Sequence, residues 1–146
     1  MALHIYIHKA KAQGPPKSGR KAAGILWFSH QGRILLLKRG PRGAHPGTWA
    51  FPAGGIEPGE SAIDAACREL WEETFCFNPP RKDAQTIWAD ENFTLFMVCA
   101  TEFTPLLNAE NDEFMWASPH KLPKPLHPHV QEQVYTATAL RKVQRK

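Results

Sequence analysis

The stretch GGIEPGESAIDAACRELWEET, Gly54 to Thr74, puts three glutamates, Glu69, Glu72 and Glu73, within about one helical turn, just after a loop rich in Gly and Pro. Ser61 followed three residues later by Asp64 is a variant of the capping box, which predicts a helix with Ser61 as its N-cap. At about 100° per residue, Ile63, Cys67, Leu70 and Thr74 share one side, the predicted core face. Glu69, flanked by Glu72 and Glu73, falls on nearly the opposite side, with the small Ala65 one turn behind it. The like-charge pairs involving Glu69 are i,i+3 and i,i+4 contacts, each costing roughly 0.2–0.5 kcal/mol in a bare helix.

A solvated acidic face is one account of that stripe, since charge clusters often mean only exposure. A cation site is the other. A solvated face tends to mix signs, whereas here an alanine leaves room beside the carboxylates. The glycines of PAGGIEPGE permit close backbone approach, and the free carbonyls of that loop are further oxygen donors. Hard divalent cations such as Mg²⁺ take oxygen ligands and share their remaining positions among water and substrate phosphates.

Around this segment the chain reads as strands with helices between and after them, an α/β or α+β layer fold. Leu3 to Ile7 reads as a short strand, and GPPKSG (Gly14 to Gly19) as a linker to the main body, so residues 1–20 form an N-terminal strand and linker. AAGILWF, a turn at His30-Gln31-Gly32 and RILLLKR read as a hairpin. RGPRGAHPG is loop and TWAF a short strand; Asn78-Pro79-Pro80 stops the chain after the helix. Further strands are predicted at Gln85 to Trp88, Phe93 to Ala100 and Phe114 to Ala117. Val130, Val134, Ala137 and Leu140 recur at three and four residues, which predicts an amphipathic C-terminal helix over 128–142.

The 146 residues, 42% apolar, suit one globular domain, 1–146. No apolar run is long enough to span a membrane, and MALHIYIHKAK lacks a secretion-signal pattern. Cys67, Cys76 and Cys99 form no CxxC pair, which suits a reducing, cytoplasmic setting. The 18 Lys and Arg exceed the 14 Asp and Glu, with much of the excess at Lys9 to Lys21 and Arg141 to Lys146. Such a balance favours polyanions, phosphorylated small molecules as readily as nucleic acid, and is equally the mark of a solvated basic tail.

The quoted helix and its loop resemble the Nudix box, G-x5-E-x7-R-E-U-x-E-E-x-G-U, with U a bulky apolar residue. Gly54, Glu60, Arg68, Glu69, Leu70, Glu72 and Glu73 meet its positions with both spacers intact, and Cys76 stands in for the last apolar residue. Phe75 replaces the glycine that ends the helix in the family. Because a left-handed cap costs a non-glycine residue roughly 1–2 kcal/mol, the helix is expected to run on toward Asn78 or to end without such a cap.

The resemblance implies an α/β/α sandwich with a mixed β-sheet. It also implies Mg²⁺-dependent cleavage (Mn²⁺ substituting) of a phosphoanhydride in a nucleoside diphosphate linked to another moiety, such as an NTP or dNTP, a nucleotide sugar or a dinucleotide. Glu69 and Glu73 are then the regular metal ligands, Glu72 joins when further ions bind, and the backbone carbonyl of Ala53 completes the shell. Glu69 serves as base in some members and only as ligand in others. Arg68 and Glu60 orient the acidic side chains, although a surface ion pair with Glu72 would also explain Arg68.

A distal acid often joins such sites; Glu110, Asp112 and Glu113 are the candidates, with Glu91 a fourth. Arg39 is the expected phosphate contact, since its planar fork can take phosphate oxygens bidentately, and Lys38 a poorer one. Trp27, Trp49, Trp71, Trp88 and Trp116 read mainly as packing. His127 and His129 occupy the segment where members that read oxidised guanine often have Asn. A nucleotide-binding sensor without turnover, hydrolysis at an RNA 5′ end and isomerase chemistry are the alternatives. A small-molecule nucleotide is the expected partner, with no membrane contact, for a monomer or homodimer.

Overall fold

The structure is a computed structural model and describes residues 20–145. The strand expected at Leu3 to Ile7 and the linker after it lie outside the described residues.

The centre of the fold is β1 (Ala22–Ser29), whose AAGILWFS run is buried along nearly its whole length, as a strand covered on both faces must be. Alternate side chains divide between two layers. Ala23, Ile25 and Trp27 join Leu35, Leu37 and the first helix in one core, while Leu26 and Phe28 join Ile34, Leu36 and the last helix in another. The result is a mixed sheet between two helical layers, the expected α/β/α sandwich.

β2 (Ile34–Arg39) returns antiparallel from the turn at residues 30–33, where Gly32 takes a φ of 81°. β3 (Trp49–Ala50) and β4 (Ala53–Gly55) follow the loop after β2. Helix α1 (Ala62–Thr74) comes next, then a 3₁₀ turn at Arg81–Asp83, β5 (Gln85–Ala89), β6 (Phe93–Ala100), β7 (Asn111–Ala117) and helix α2 (Val130–Gln144). β6 runs parallel to β1 from Ala22↔Phe93 to Ser29↔Ala100, and β5 closes that edge antiparallel.

The other edge of β1 is shared. Near its start it pairs with β4, through Ala22↔Gly55, Ala23↔Gly54 and Gly24↔Ala53; near its end it pairs with β2 at Phe28↔Ile34. Beyond that rung β2 pairs with β3 at Leu37↔Ala50 and Lys38↔Trp49, while β7 pairs with β2 from Ile34↔Ala117 to Arg39↔Asn111. This divided edge lets the short β4 seat beside α1. Gly24 is required there, because a Cβ on it would lie 2.6 Å from the Cβ of Ala53 and 2.8 Å from the carbonyl oxygen of Pro52. β4 and the 3₁₀ turn were not predicted; three residues with two glycines carry no alternation that would mark a strand.

α1 starts as expected, with the Ser61 hydroxyl accepting from the backbone N–H of Asp64 at 3.1 Å. Its end corrects the expectation. The helix closes at Thr74, and Phe75 does adopt the left-handed conformation, φ 64° and ψ 18°. Partners for the last carbonyls explain how this is tolerated. Phe75 N–H donates to Trp71 O at 2.8 Å, Asn108 Nδ2 donates to Glu72 O at 2.9 Å, and Leu106 N–H donates to Thr74 O at 3.0 Å. The Phe75 ring also stacks on Trp71, with centroids 6.0 Å apart. Phe75→Gly should therefore be more stable than Phe75→Ala by about 1 kcal/mol in thermal melts, because alanine keeps the left-handed strain without the stacking. Equal stability would mean that residue 75 carries no such strain.

The C-terminal helix is found two residues later at each end than predicted, with Val130, Val134 and Ala137 buried as its spacing required. No helix among the described residues is long and apolar enough to cross a membrane.

Candidate active site

The three glutamates of α1 do not face water. Glu69 is fully buried, Glu73 is 4% exposed and Glu72 8%, while Cys67, Leu70 and Thr74 fill the predicted core face. This removes the solvated-face account. Ala65 corrects another detail: it is fully buried in the core with Ala23 and Ile25, so the space beside the carboxylates comes from β4 and not from alanine.

That space is Gly54. A Cβ built on it would land on the carboxyl carbon and oxygens of Glu69. The glycine of the box is thus needed for close approach, since its own backbone angle is not left-handed. Gly54→Ala should destabilise the fold by roughly 1–3 kcal/mol, the usual range for overpacking, read as a lower midpoint in urea. An unchanged midpoint would place the Glu69 carboxylate elsewhere.

Arg68 holds the acids together. Its Nε and Nη2 donate to the two oxygens of Glu60 at 2.8 and 3.0 Å, and Nη2 also donates to Gly55 O at 2.8 Å. Nη1 donates to Glu69 at 3.0 Å and to Glu72 at 2.6 Å. The side chain is 8% exposed, so the pair with Glu72 is one bond of a buried network and not a surface ion pair. Burial by itself would lower the guanidinium pKa, but the bonds to Glu60 and Glu72 and the charges of Glu69 and Glu60 outweigh it and raise it. For Glu60, burial pushes the carboxyl up, while the Arg68 bond and the Glu57 N–H leave it net below its ordinary value.

Glu73 lies one turn beyond Glu69, and its Oε1 accepts from the N–H of Ala53 at 3.2 Å. Glu110, from the loop before β7, brings a third carboxylate, so that one oxygen each from Glu69, Glu73 and Glu110 lie within 4.8 Å of one another. The donor set is three carboxylates, which suits a hard divalent ion better than a soft one. The Cys67 thiol, on the same helix, is pushed up to about 11 mainly by burial and is no thiolate at neutral pH.

The other candidates separate. Among the distal acids, Glu110 alone joins Glu69 and Glu73 in a three-acid group among the described residues. Glu113 pairs with Lys38 at 3.2 Å across the β2–β7 ladder, and an Asp112 oxygen sits 3.2 Å from where a Cβ on Gly40 would be. Glu91 lies in the β5–β6 turn. Arg39 ends β2 with its Nε on Ala44 O at 2.8 Å, and the next residue, Gly40, donates its N–H to Glu110 O at 2.9 Å.

Trp27 and Trp49 are core, and Trp116 meets Trp27 and Phe103 edge-on. Trp88 lies 5.7 Å from His129, and His45 4.6 Å from His127, ring centre to ring centre. Burial, opposed by a bond to Pro128 O and aided by the charge of Arg39, lowers the pKa of His127. Asn108, which joins α1 to the Glu110 loop, was missed; its signal is the Asn-Ala-Glu turn chemistry ahead of a strand.

A mixed sheet between two helical layers, with a glutamate-rich helix seated on a glycine strand, defines a Nudix-type α/β/α sandwich. The family model of the NUDIX domain matches residues 19–138, and the chain belongs to the Nudix family of hydrolases. It is 43% identical over 60 residues to an RNA pyrophosphohydrolase of Bartonella quintana (strain Toulouse), covering 38% of this chain and 35% of that protein. It is 46% identical over 54 residues to an RNA pyrophosphohydrolase of Psychrobacter cryohalolentis, covering 37% and 29%. The matches thus span about a third of the length of these relatives.

Among solved structures, a C. elegans Ap4A hydrolase binary complex matches with a TM-score of 0.68 at 19% identity, over 84% of this chain and 99% of that one. The NUDIX domain of Shewanella oneidensis NrtR complexed with ADP ribose matches with 0.70 at 17%, over 92% and 94%. Both likenesses concern the fold.

Proposed function

We propose that this chain is a Mg²⁺-dependent hydrolase of a phosphoanhydride bond in a nucleoside diphosphate derivative. The observation that carries the reading is the gathering of Glu69, Glu73 and Glu110 to within 4.8 Å across two separate segments. Glu69 and Glu73 are buried and Glu110 is exposed; like charges gathered this closely, two of them away from water, are held only at a cost, and a divalent cation is the partner that relieves it. The fit rests on an all-oxygen donor set beside a glycine where any side chain would displace Glu69.

Glu69, Glu73 and Glu110 would hold the ion, with Glu72 and the Ala53 carbonyl available to further ions. When bound, the metal supplies charge neutralisation of the phosphates and lowers the pKa of a coordinated water. The chain supplies the rest. Arg68 fixes the carboxylates of Glu60, Glu69 and Glu72, so the acids need no reorganisation when substrate arrives. Arg39, beside the Glu110 segment, offers its remaining guanidinium donors to substrate phosphates. Glu69 or Glu110 takes the proton of the attacking water, and the phosphoanhydride oxygen leaves with the second product.

All the box carboxylates are in place, which supports turnover over a binding-only sensor. The substrate class includes the 5′-triphosphate end of RNA, supported by the names of the similar curated proteins and by the exposed Lys142 on α2 and Arg145 at its C-cap. The three cysteines form no disulfide, which supports a reducing, cytoplasmic setting. The test is a panel of nucleoside triphosphates, nucleotide sugars, dinucleotides and triphosphorylated RNA, with products identified. One substrate should be cleaved with Mg²⁺ or Mn²⁺, and chelator should abolish the reaction until Mg²⁺ is restored. Full activity in chelator would end the metal reading.

A further inference from the structure

We infer that Asn108 is a positioning residue, a single side chain that ties the acid-bearing helix to the loop carrying Glu110 and so sets the third carboxylate against the other two. The inference rests on the metal reading above and specifies which residue outside the box assembles that site.

Glu110 has no secondary structure of its own to hold it. Residues 101–108 carry no helix or strand, and 109–110 form a turn before β7. A carboxylate on such a segment is held against a buried pair only if its backbone is tied on both sides, because an untied loop would keep the conformational freedom that ordering it must remove. The ties are present. The Oδ1 of Asn108 accepts the N–H of Glu110 at 2.9 Å, an Asx turn that fixes the backbone two residues on. The carbonyl of Glu110 accepts the N–H of Gly40 at 2.9 Å. The other end of the Asn108 amide, Nδ2, donates to the carbonyl of Glu72 at 2.9 Å.

That second bond makes the arrangement specific. Glu72 O is one of the last carbonyls of α1, which lack an intrahelical donor. Its neighbour along the helix is Glu73, whose carboxylate belongs to the three-acid group. One planar amide therefore spans the gap between the two segments, about as short a link as side-chain chemistry allows. Neither end can be replaced by an apolar residue, and the two ends need opposite hydrogen-bonding character, a donor and an acceptor, which the Nδ2 and Oδ1 of one Asn amide provide. Gln would add a methylene and lose the Asx turn.

Asn108 touches neither reacting atoms nor metal in this scheme; it acts through Glu110. The test is Mn²⁺ binding by the full chain without substrate, followed by loss of the free-ion electron paramagnetic resonance signal. Asn108→Ala should weaken Mn²⁺ binding about tenfold, in the range for residues that orient ligands. Glu110→Gln should weaken it by a similar factor, and the double variant should be no weaker than Glu110→Gln alone. Circular dichroism checks that each variant is folded.

Factors that multiply in the double variant would show that Asn108 acts independently of Glu110 and would overturn the inference. So would a folded Asn108→Ala that binds Mn²⁺ like the parent. Absence of Mn²⁺ binding by the parent is a different result: it would bring down the metal reading and the inference with it. Should Asn108→Ala fail to fold, Asn108→Ser keeps a short acceptor for the Glu110 N–H but cannot span to Glu72 O. It should then bind Mn²⁺ between the parent and Glu110→Gln, and binding no tighter than Glu110→Gln would overturn the role of the turn.

Discussion

Glu73→Gln should leave a folded protein that hydrolyses its best substrate at least about a hundredfold more slowly, with Mn²⁺ affinity reduced in parallel. The substitution is nearly isosteric. The amide oxygen of glutamine can still accept the N–H of Ala53, which Glu73 Oε1 now accepts at 3.2 Å, so the packing of α1 on β4 is preserved. What is lost is one full negative charge at a position 4% exposed, where water screens little. Removing a buried like charge relieves repulsion, so the variant should be at least as resistant to heat as the parent when no metal is added. In saturating Mg²⁺ the order should reverse, because the parent binds the ion more tightly and gains more from it. Near-normal turnover by the folded variant would take Glu73 out of the site.

Arg68→Ala should be the most destabilising single change in this region, by roughly 3–5 kcal/mol in denaturant melts, the range for breaking a buried ionic network by deleting one partner. The guanidinium makes five hydrogen bonds, to Glu60 twice, to Glu69, to Glu72 and to Gly55 O, and its removal leaves carboxylates facing one another in a buried place. Arg68→Lys should recover only a minor part of the loss, since an ammonium cannot place a planar fork on Glu60 while reaching two further acids. A loss below about 1 kcal/mol in Arg68→Ala would mean that the network is solvated and structurally idle. The loss should shrink when Mg²⁺ is added, whereas for a purely structural bridge it would not change.

Much of this was legible in the residues. The spacing from Gly54 to Glu73 located the helix, its N-cap and the acids, because helical periodicity and capping chemistry are local and need only a dozen residues of context. The hairpin of β1 and β2 and the helix α2 were legible for the same reason. What the chain did not disclose depends on which distant segments meet. Among Glu110, Asp112 and Glu113 nothing local favours one acid, and the choice is made by the pairing of Lys38 with Glu113 and by the tether through Asn108. β4 was invisible because pairing with β1, not side-chain pattern, makes it a strand. Phe75 misled because the cost of its conformation is local, while the bonds that offset it come from Leu106 and Asn108, more than thirty positions away.

β4 is held by three rungs, and one of them sits on Gly24, where any side chain would collide. A slip of one residue would turn Ala53, Gly54 and Gly55 to the wrong faces, leaving a sheet of almost unchanged hydrogen-bond count and a carboxylate with nowhere to rest. Material recovered from denaturant can therefore look native by spectroscopy and still be inert, so titration of competent molecules, not the yield of soluble protein, is the measure of correct renaturation.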